Sequence, residues 1–277
     1  MQLIVERRRR ILHLTLNRPE KRNALTSGMC QAIVDAVESA QGDDEIAAVL
    51  LAAHGQVFCA GMDLDEASDL DSNELDEIHE RLFTLGSTSR KPIVVCVNGA
   101  ALGGGLGLVA QGHVVTASAG AVFGLTEIRI GLWPFLIYRA VEAAIGARRT
   151  LELSLTSRLF NSHDALNWGL VQTIAPAGEV CDRAKGLAID LAKTSPAALR
   201  FGMQFVQQAR GLDANAAARL AKQLRGQLMA TDDFKEGYAA FKGRREPRWP
   251  SMPRGFYDYP GNFGRPHRAG DDLAIGE

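Results

Sequence analysis

The pattern of apolar and polar residues makes QLIVE (2–6) and ILHLTL (11–16) strand-like, the second with the period-two alternation of a half-buried strand. The intervening ERRRR then reads as a solvated hairpin turn rather than a nucleic-acid patch. After the loop NRPEKRNALT, Met29, Ile33, Val37 and Ala40 recur at helical spacing, with Thr26 or Ser27 available as cap. Two continuous apolar runs, IAAVLLAA (46–53) and PIVVCVNG (92–99), read as strands covered on both faces, with an acidic helical region between them. This alternation persists to about residue 175 and predicts an α/β core with parallel pairing.

The pattern then changes. Residues 176–248 form three helical blocks with little strand character; in the second, Ser195 caps, Pro196 takes the first helical position, and Leu199, Met203 and Val206 make one apolar face. A helical lobe or an oligomer interface follows. Residues 249–277 are rich in Pro, Gly and Arg and cannot pack a core alone, so Trp249, Phe256, Tyr257, Tyr259 and Phe263 are the candidate anchors of a tail. The predicted organisation is therefore a core over 1–175, a helical region over 176–248 and a tail over 249–277.

Composition narrows the function classes. With 277 residues, 46% of them hydrophobic, and a formal net charge of −1, the chain can bury a sizeable core but offers no global field for nucleic acid or an anionic membrane. Cys30, Cys59, Cys96 and Cys181 are dispersed among apolar residues and read as reduced core thiols. His13, His54, His79, His163 and His267 have no ligand spacing, so no metal is expected. The N-terminal stretch has no apolar run long enough for a signal or a membrane span, which predicts a cytoplasmic location.

Candidate chemistry lies in three segments. ALGGGLGLVAQGH (101–113) sets three glycines between a buried strand and a helix start, where exposed N–H groups can hold a developing oxyanion; a tight strand-to-helix junction is the alternative. GQVFCAGMDLDEA (55–67) brings a second small-residue loop to a strand end, making a two-donor site plausible. AVFGLTEIRIGLWP (121–134) places Glu127 among apolar residues, where burial would raise its pKa and suit it to general acid/base work.

Taken together, NRPEKRNAL, VFCAGMDL, VNGAALGGGLGL, FGLTEIRIGL, SPAALR and DDFKEGYAAFKGRREP closely resemble the crotonase superfamily, the enoyl-CoA hydratase/isomerase family, over roughly residues 3–248. The resemblance implies a crotonase-like α/β spiral of ββα repeats with a C-terminal helical oligomerisation region. It also implies a homotrimer or dimer of trimers, and an acyl-CoA substrate that brings coenzyme A with it rather than as a separate cofactor. By the same resemblance, the backbone N–H groups of Met62 and Gly104 hold the thioester oxygen and Glu127 is the acid/base. Lys21, Arg22 and Ala24 should follow the phosphate and adenine path, Ala60, Asp63 and Leu64 should flank adenine and pantetheine, and Phe241 and Arg244 should reach in from the C-terminal helices.

Two departures matter. Family hydratases resemble GGG-x-Glu here, with a second Glu about twenty residues on; this chain has Gly107 at the first position and keeps only Glu127. The following segment, GLWPFLIYRAV, replaces a glycine-rich loop by a bulkier, drier wall. A dry pocket with one carboxylate suits moving a proton along an acyl chain better than adding water. Double-bond isomerisation is thus the leading expectation, hydration the alternative, and a non-catalytic acyl-CoA scaffold the third. Asp65, Glu66, Asp69, Asp71, Glu74, Asp76, Glu77 and Glu80 are candidates for a replacement acid, and His113 belongs to the scaffold.

Overall fold

The computed structural model describes residues 1–67 and 72–258. Ten strands occur among them: β1 (Leu3–Arg8), β2 (Ile11–Leu16), β3 (Ala48–Ala53), β4 (Val57–Cys59), β5 (Ile93–Val97), β6 (Ala100–Leu102), β7 (Val114–Ser118), β8 (Val122–Gly124), β9 (Phe160–Asn161) and β10 (Thr173–Ala175). The helices are α1 (Ser27–Ala40), α2 (Leu64–Ala67), α3 (Ser72–Thr88), α4 (Gly104–Ala110), α5 (Phe135–Ile145), α6 (Ala147–Thr156), α7 (Ser162–Asn167), α8 (Val180–Lys193), α9 (Pro196–Gln208), α10 (Ala214–Met229) and α11 (Asp232–Lys242).

The strands form two sheets, ordered β1-β2-β3-β5-β7-β10 and β4-β6-β8-β9. Pairing in the first is parallel except for β1–β2, and in the second parallel except for β8–β9. Each of β3, β5 and β7 is followed at once by a strand of the smaller sheet. The chain therefore advances by a repeated strand–strand step, with helices between steps, and both sheets grow in parallel. β5 is buried at every position and β3 at all but one, as their continuous apolar runs require.

The hairpin between β1 and β2 turns through Arg9 and Arg10, both left-handed (φ 51° and 64°), which matches the right-handed twist of the flanking strands. Full solvation of this arginine run does not hold. Arg10 is half-buried, donates to Ala192 O at 2.9 Å and lies 5.6 Å from the Phe256 ring centre. Helix α1 begins as its pattern dictates, with Thr26 Oγ1 accepting from Met29 N at 3.1 Å.

Helix α8 falls beyond residue 175, yet Val180, Ala184, Ala188 and Ala192 on it pack with Leu50, Val94 and Cys96 of the large sheet. The α/β body thus extends through residue 193. Ser195 caps α9, its Oγ accepting from Ala198 N at 3.0 Å, with Pro196 at the first helical position. The third helical block is two helices, because Thr231 starts α11 afresh by accepting from Phe234 N.

Residues 249–252 are tied to this body: Trp249 Nε1 donates to Lys193 O at 2.8 Å, and Ser251 donates to Asp233 through N and Oγ. Tyr259, Phe263 and His267 lie outside the described residues. The dispersed cysteines include one spatial pair, Cys96 and Cys181, with Sγ atoms 3.0 Å apart. Burial pushes the Cys30 and Cys59 thiols up to about 12, which keeps them inert. None of the described helices is long and apolar enough to cross a membrane.

Candidate active site

Where the two small-residue loops meet, the backbone comes into direct contact. A Cβ on Gly104 would lie 3.7 Å from Gly61 Cα, and one on Gly61 would lie 3.5 Å from Gly104 N. Leu25 N donates to Gly61 O and Asp63 N to Leu25 O, in a one-residue parallel bridge between Leu25 and Met62. Because pairing alternates along extended backbone, this arrangement turns the Met62 N–H away from Leu25. Gly104 is the first residue of α4, so its N–H has no intrahelical acceptor. Among the described residues neither N–H is engaged, leaving two backbone donors at the same junction.

Gly103 makes the junction possible. It adopts φ 53° and ψ −124°, and a Cβ there would come within 3.2 Å of Glu127 Oε1. Glu127 follows β8 directly on a single turn of 3-10 helix closed by Gly131 at φ 76°. Its Oε2 is buried with no hydrogen-bond partner among the described residues. Burial raises the carboxyl pKa above the ordinary 4.5, and the backbone N–H groups of Glu127 and Thr126 pull it part of the way back. A carboxylate so placed is basic and faces no competing internal donor on one oxygen.

These groups line one cavity of about 810 Å³. Met62, Gly104, Glu127, Arg22, Ala60 and Leu64 are on its wall. Lys21, Ala24, Asp63, Phe241 and Arg244 are not. Lys21 is exposed and 3.6 Å from Asp65, and Ala24 O accepts from Arg18. Asp63 is buried and ion-paired with Arg18, which holds its carboxyl below the usual range while it caps α2 through Asp65 N. Phe241 is 83% exposed and Arg244 sits exposed in a left-handed turn on the outer surface.

Any side chain at position 107 would start in occupied space. A Cβ on Gly107 would fall 2.5 Å from Ile137 Cγ2 and 2.8 Å from Phe83 Cε1, closer than such atoms approach. Ile137 belongs to the Trp133–Ile137 stretch, every residue of which lines the cavity. Of the candidate replacement acids, Asp76 lines it; Asp65 pairs with Lys21, Glu66 accepts from Ser27 Oγ at 2.6 Å, and Glu77 and Glu80 are exposed. Asp69, Asp71 and the Glu74 side chain lie outside the described residues. His113 is scaffold: its Nδ1 accepts from Ile93 N and its Nε2 bonds Gly86 O, both at 2.9 Å.

His79 and Phe83 also reach the cavity, which the reading of α3 as an acidic solvated face missed. Asp76, His79 and Phe83 stand three and four residues apart, so helical periodicity alone places them on one stripe.

The sequence matches the enoyl-CoA hydratase/isomerase family over residues 6–252. The chain belongs to this family. A 2,3-dehydroadipyl-CoA hydratase of Escherichia coli is 33% identical over 249 residues, covering 89% of this chain and 97% of the relative. A mevalonyl-coenzyme A hydratase of Aspergillus fumigatus is 31% identical, over 86% of this chain and 91% of its own. Among solved structures, an enoyl-CoA hydratase of Mycobacterium smegmatis superposes with TM-score 0.86 at 27% identity, covering 90% of this chain and 99% of that one. The two mixed sheets and C-terminal helices are thus the crotonase fold, and an acyl-CoA substrate follows from family membership.

Proposed function

We propose that this crotonase-family enzyme moves the double bond of an enoyl-CoA, using Glu127 as its acid/base and the Met62 and Gly104 N–H groups as an oxyanion hole. The observation that carries this reading is the filling of the Gly107 site by Ile137 and Phe83, which leaves Glu127 without the second carboxylate of the hydratase pattern. In the forward step Glu127 removes a proton from C2 of a 3-enoyl thioester, and the electron pair flows onto the thioester oxygen. The two backbone donors stabilise that charge in a dry site, where each such donor is worth about 10²–10³ in rate. The resulting carboxylic acid returns the proton to C4, and the double bond ends between C2 and C3. The raised Glu127 pKa matches a group that must accept and then release one proton.

Hydration is the second reading, and the names of the relatives favour it, since those reported above are all hydratases. It requires room for a water beside Glu127 and a second group to activate or protonate. We assign Arg22, Ala60 and Leu64 to the coenzyme A path, a reading supported by their place on the cavity wall. Phe241 and Arg244, off the wall of their own chain's cavity, would contact coenzyme A from a neighbouring copy in a trimer. Val206, Phe234, Tyr238 and Phe241, exposed on α9 and α11, support such an interface.

The test is a product analysis on matched 3-enoyl-CoA and 2-enoyl-CoA substrates. Isomerisation predicts conversion between the two with little 3-hydroxyacyl-CoA. Accumulation of 3-hydroxyacyl-CoA at the faster rate assigns hydration instead, and no turnover of either would leave an acyl-CoA binding scaffold.

A further inference from the structure

His79 is anomalous for a wall residue. Its side chain belongs to a residue only 5% exposed, it lines the cavity, and among the described residues neither ring nitrogen has a hydrogen-bond partner. The ring nitrogens are open to the cavity, so a ligand that displaces the cavity water must offer them a hydrogen-bonding group or leave them unsatisfied. Buried polar groups in native proteins are hydrogen-bonded, so an imidazole on this wall selects bound molecules that carry a polar group at that point.

Its neighbours fix where that molecule's polar group lies. The His79 ring is 5.8 Å from the Phe83 ring, centre to centre. Phe83 Cζ in turn stands 3.5 Å from where a Gly104 Cβ would be. His79 is therefore one ring beyond the side chain that packs on the oxyanion junction. Phe83, Leu136 and Ile137 give the same cavity wall apolar surface, and Asp76 gives it a carboxylate.

Charge narrows the chemistry further. Burial holds the imidazole below its usual 6.5, so it is neutral at pH 7 and presents one donor and one acceptor. The carboxylates that act on it are Asp76, on the same helix and in the same cavity, and Glu66; Glu127, Arg22 and Arg129 are the other charged residues on the wall. Arg129 is engaged by Ser157, donating through Nε at 2.6 Å. Asp76 acts electrostatically on the imidazole, so an anionic substituent placed at His79 would be repelled where an uncharged hydroxyl or carbonyl oxygen would not.

We propose that His79 is the specificity-determining residue of the acyl pocket, and that the substrate class is acyl-CoA thioesters bearing an uncharged oxygen substituent, a hydroxyl or oxo group, beyond the reacting carbons. This rests on the cavity being the acyl-CoA site, and goes beyond the choice between isomerisation and hydration.

The measurement is calorimetric binding of unreactive saturated thioesters, which does not depend on turnover. Hexanoyl-CoA is compared with its 4-, 5- and 6-hydroxy and its 4- and 5-oxo derivatives, and with the ω-carboxylate of the same length. Wild-type enzyme should bind at least one hydroxy or oxo thioester about tenfold or more tighter than hexanoyl-CoA, in line with a hydrogen bond to a buried polar group. His79→Phe should lose that preference and bind hexanoyl-CoA more tightly than wild type, while His79→Gln, which keeps a donor and an acceptor, should retain part of it. Equal affinity of the wild type for hexanoyl-CoA and every oxygenated derivative overturns the proposal, as does strongest binding of the ω-carboxylate. If no thioester binds, the acyl-CoA reading of the cavity fails and this proposal with it. Preferential binding without any turnover of the matching enoyl thioesters supports the proposal and refutes only the proposed reaction.

Discussion

Substituting Gly107 by Glu would recreate the carboxylate spacing of the family's hydratases, and the structure predicts that it damages the protein instead. The first atom added, Cβ, lands 2.5 Å from Ile137 Cγ2, 3.0 Å from Ile137 Cβ and 2.8 Å from Phe83 Cε1. Ile137 is 3% exposed and Phe83 7%, and both line the cavity, so the clash can be relieved only by pushing them into the space the acyl group needs. Overpacking of this kind costs about 1–3 kcal/mol. A carboxylate forced among these apolar groups without a partner adds about 1–3 kcal/mol more even if it is protonated or partly hydrated. Replacing a helical glycine returns at most about 1 kcal/mol. The balance is a loss of roughly 1–6 kcal/mol from a total of about 5–15. At about 2–4 °C per kcal/mol, thermal denaturation should fall by roughly 2–24 °C. Differential scanning calorimetry measures this, and loss of enoyl thioester absorbance measures hydration alongside it. Ile137→Ala in the same chain should make the double variant less unstable than the sum of the two single changes, because the methyl groups removed are those the new side chain strikes. A Gly107→Glu protein that melts within about 1 °C of wild type, or that hydrates 2-enoyl-CoA faster than wild type, would refute the steric argument.

Two further perturbations follow from the same contacts. Asp233 is 2% exposed and accepts from Ser195 Oγ, Ser251 N and Ser251 Oγ, so Asp233→Ala should cost about 2–4 kcal/mol in urea denaturation by orphaning both serines; a loss under about 0.5 kcal/mol would contradict that assignment. Burial lowers the pKa of His13, His79 and His113 below 6.5, so the unfolded chain binds more protons than the folded one as pH falls through that value. Stability at pH 5.5 should therefore lie below that at pH 7.5, by up to about 1.4 kcal/mol per pH unit for each histidine. Glu127, with a raised pKa, acts in the opposite sense above 4.5, so Glu127→Gln should steepen the acid loss, and an unchanged or shallower slope would contradict the sign of its shift.

The parts legible in the sequence were those whose physics is local. Continuous apolar runs identified β3 and β5, Thr26 and Ser195 marked helix starts, and Glu127 stood out as a carboxylate inside an apolar segment. What escaped depends on packing between distant segments. Nothing near Gly107 says that Ile137, thirty residues on, fills the space beside it. Alanines at four-residue spacing in α8 read as a helix, but only the sheet beneath it shows that this helix belongs to the α/β body. The stripe Asp76, His79, Phe83 was present in the spacing, yet the surrounding acidic residues made the whole of α3 read as solvated. Cys96 and Cys181 are brought together by that same docking of α8 on β5.

The central claim is that Glu127 alone carries the proton, and the direct measurement compares wild type with Glu127→Gln on a 3-enoyl-CoA in deuterated water. Gln keeps the shape and the contacts with the Thr126 and Glu127 N–H groups while removing basicity. Isomerisation should fall by about a hundredfold or more, the lower end of acid/base contributions. Because the proton taken from C2 is the one returned to C4, the product formed by wild type should carry little deuterium at C4, and affinity for the saturated thioester should be little changed in Glu127→Gln because the oxyanion donors are backbone groups. Efficient hydration by the wild type that survives Glu127→Gln would contradict the account.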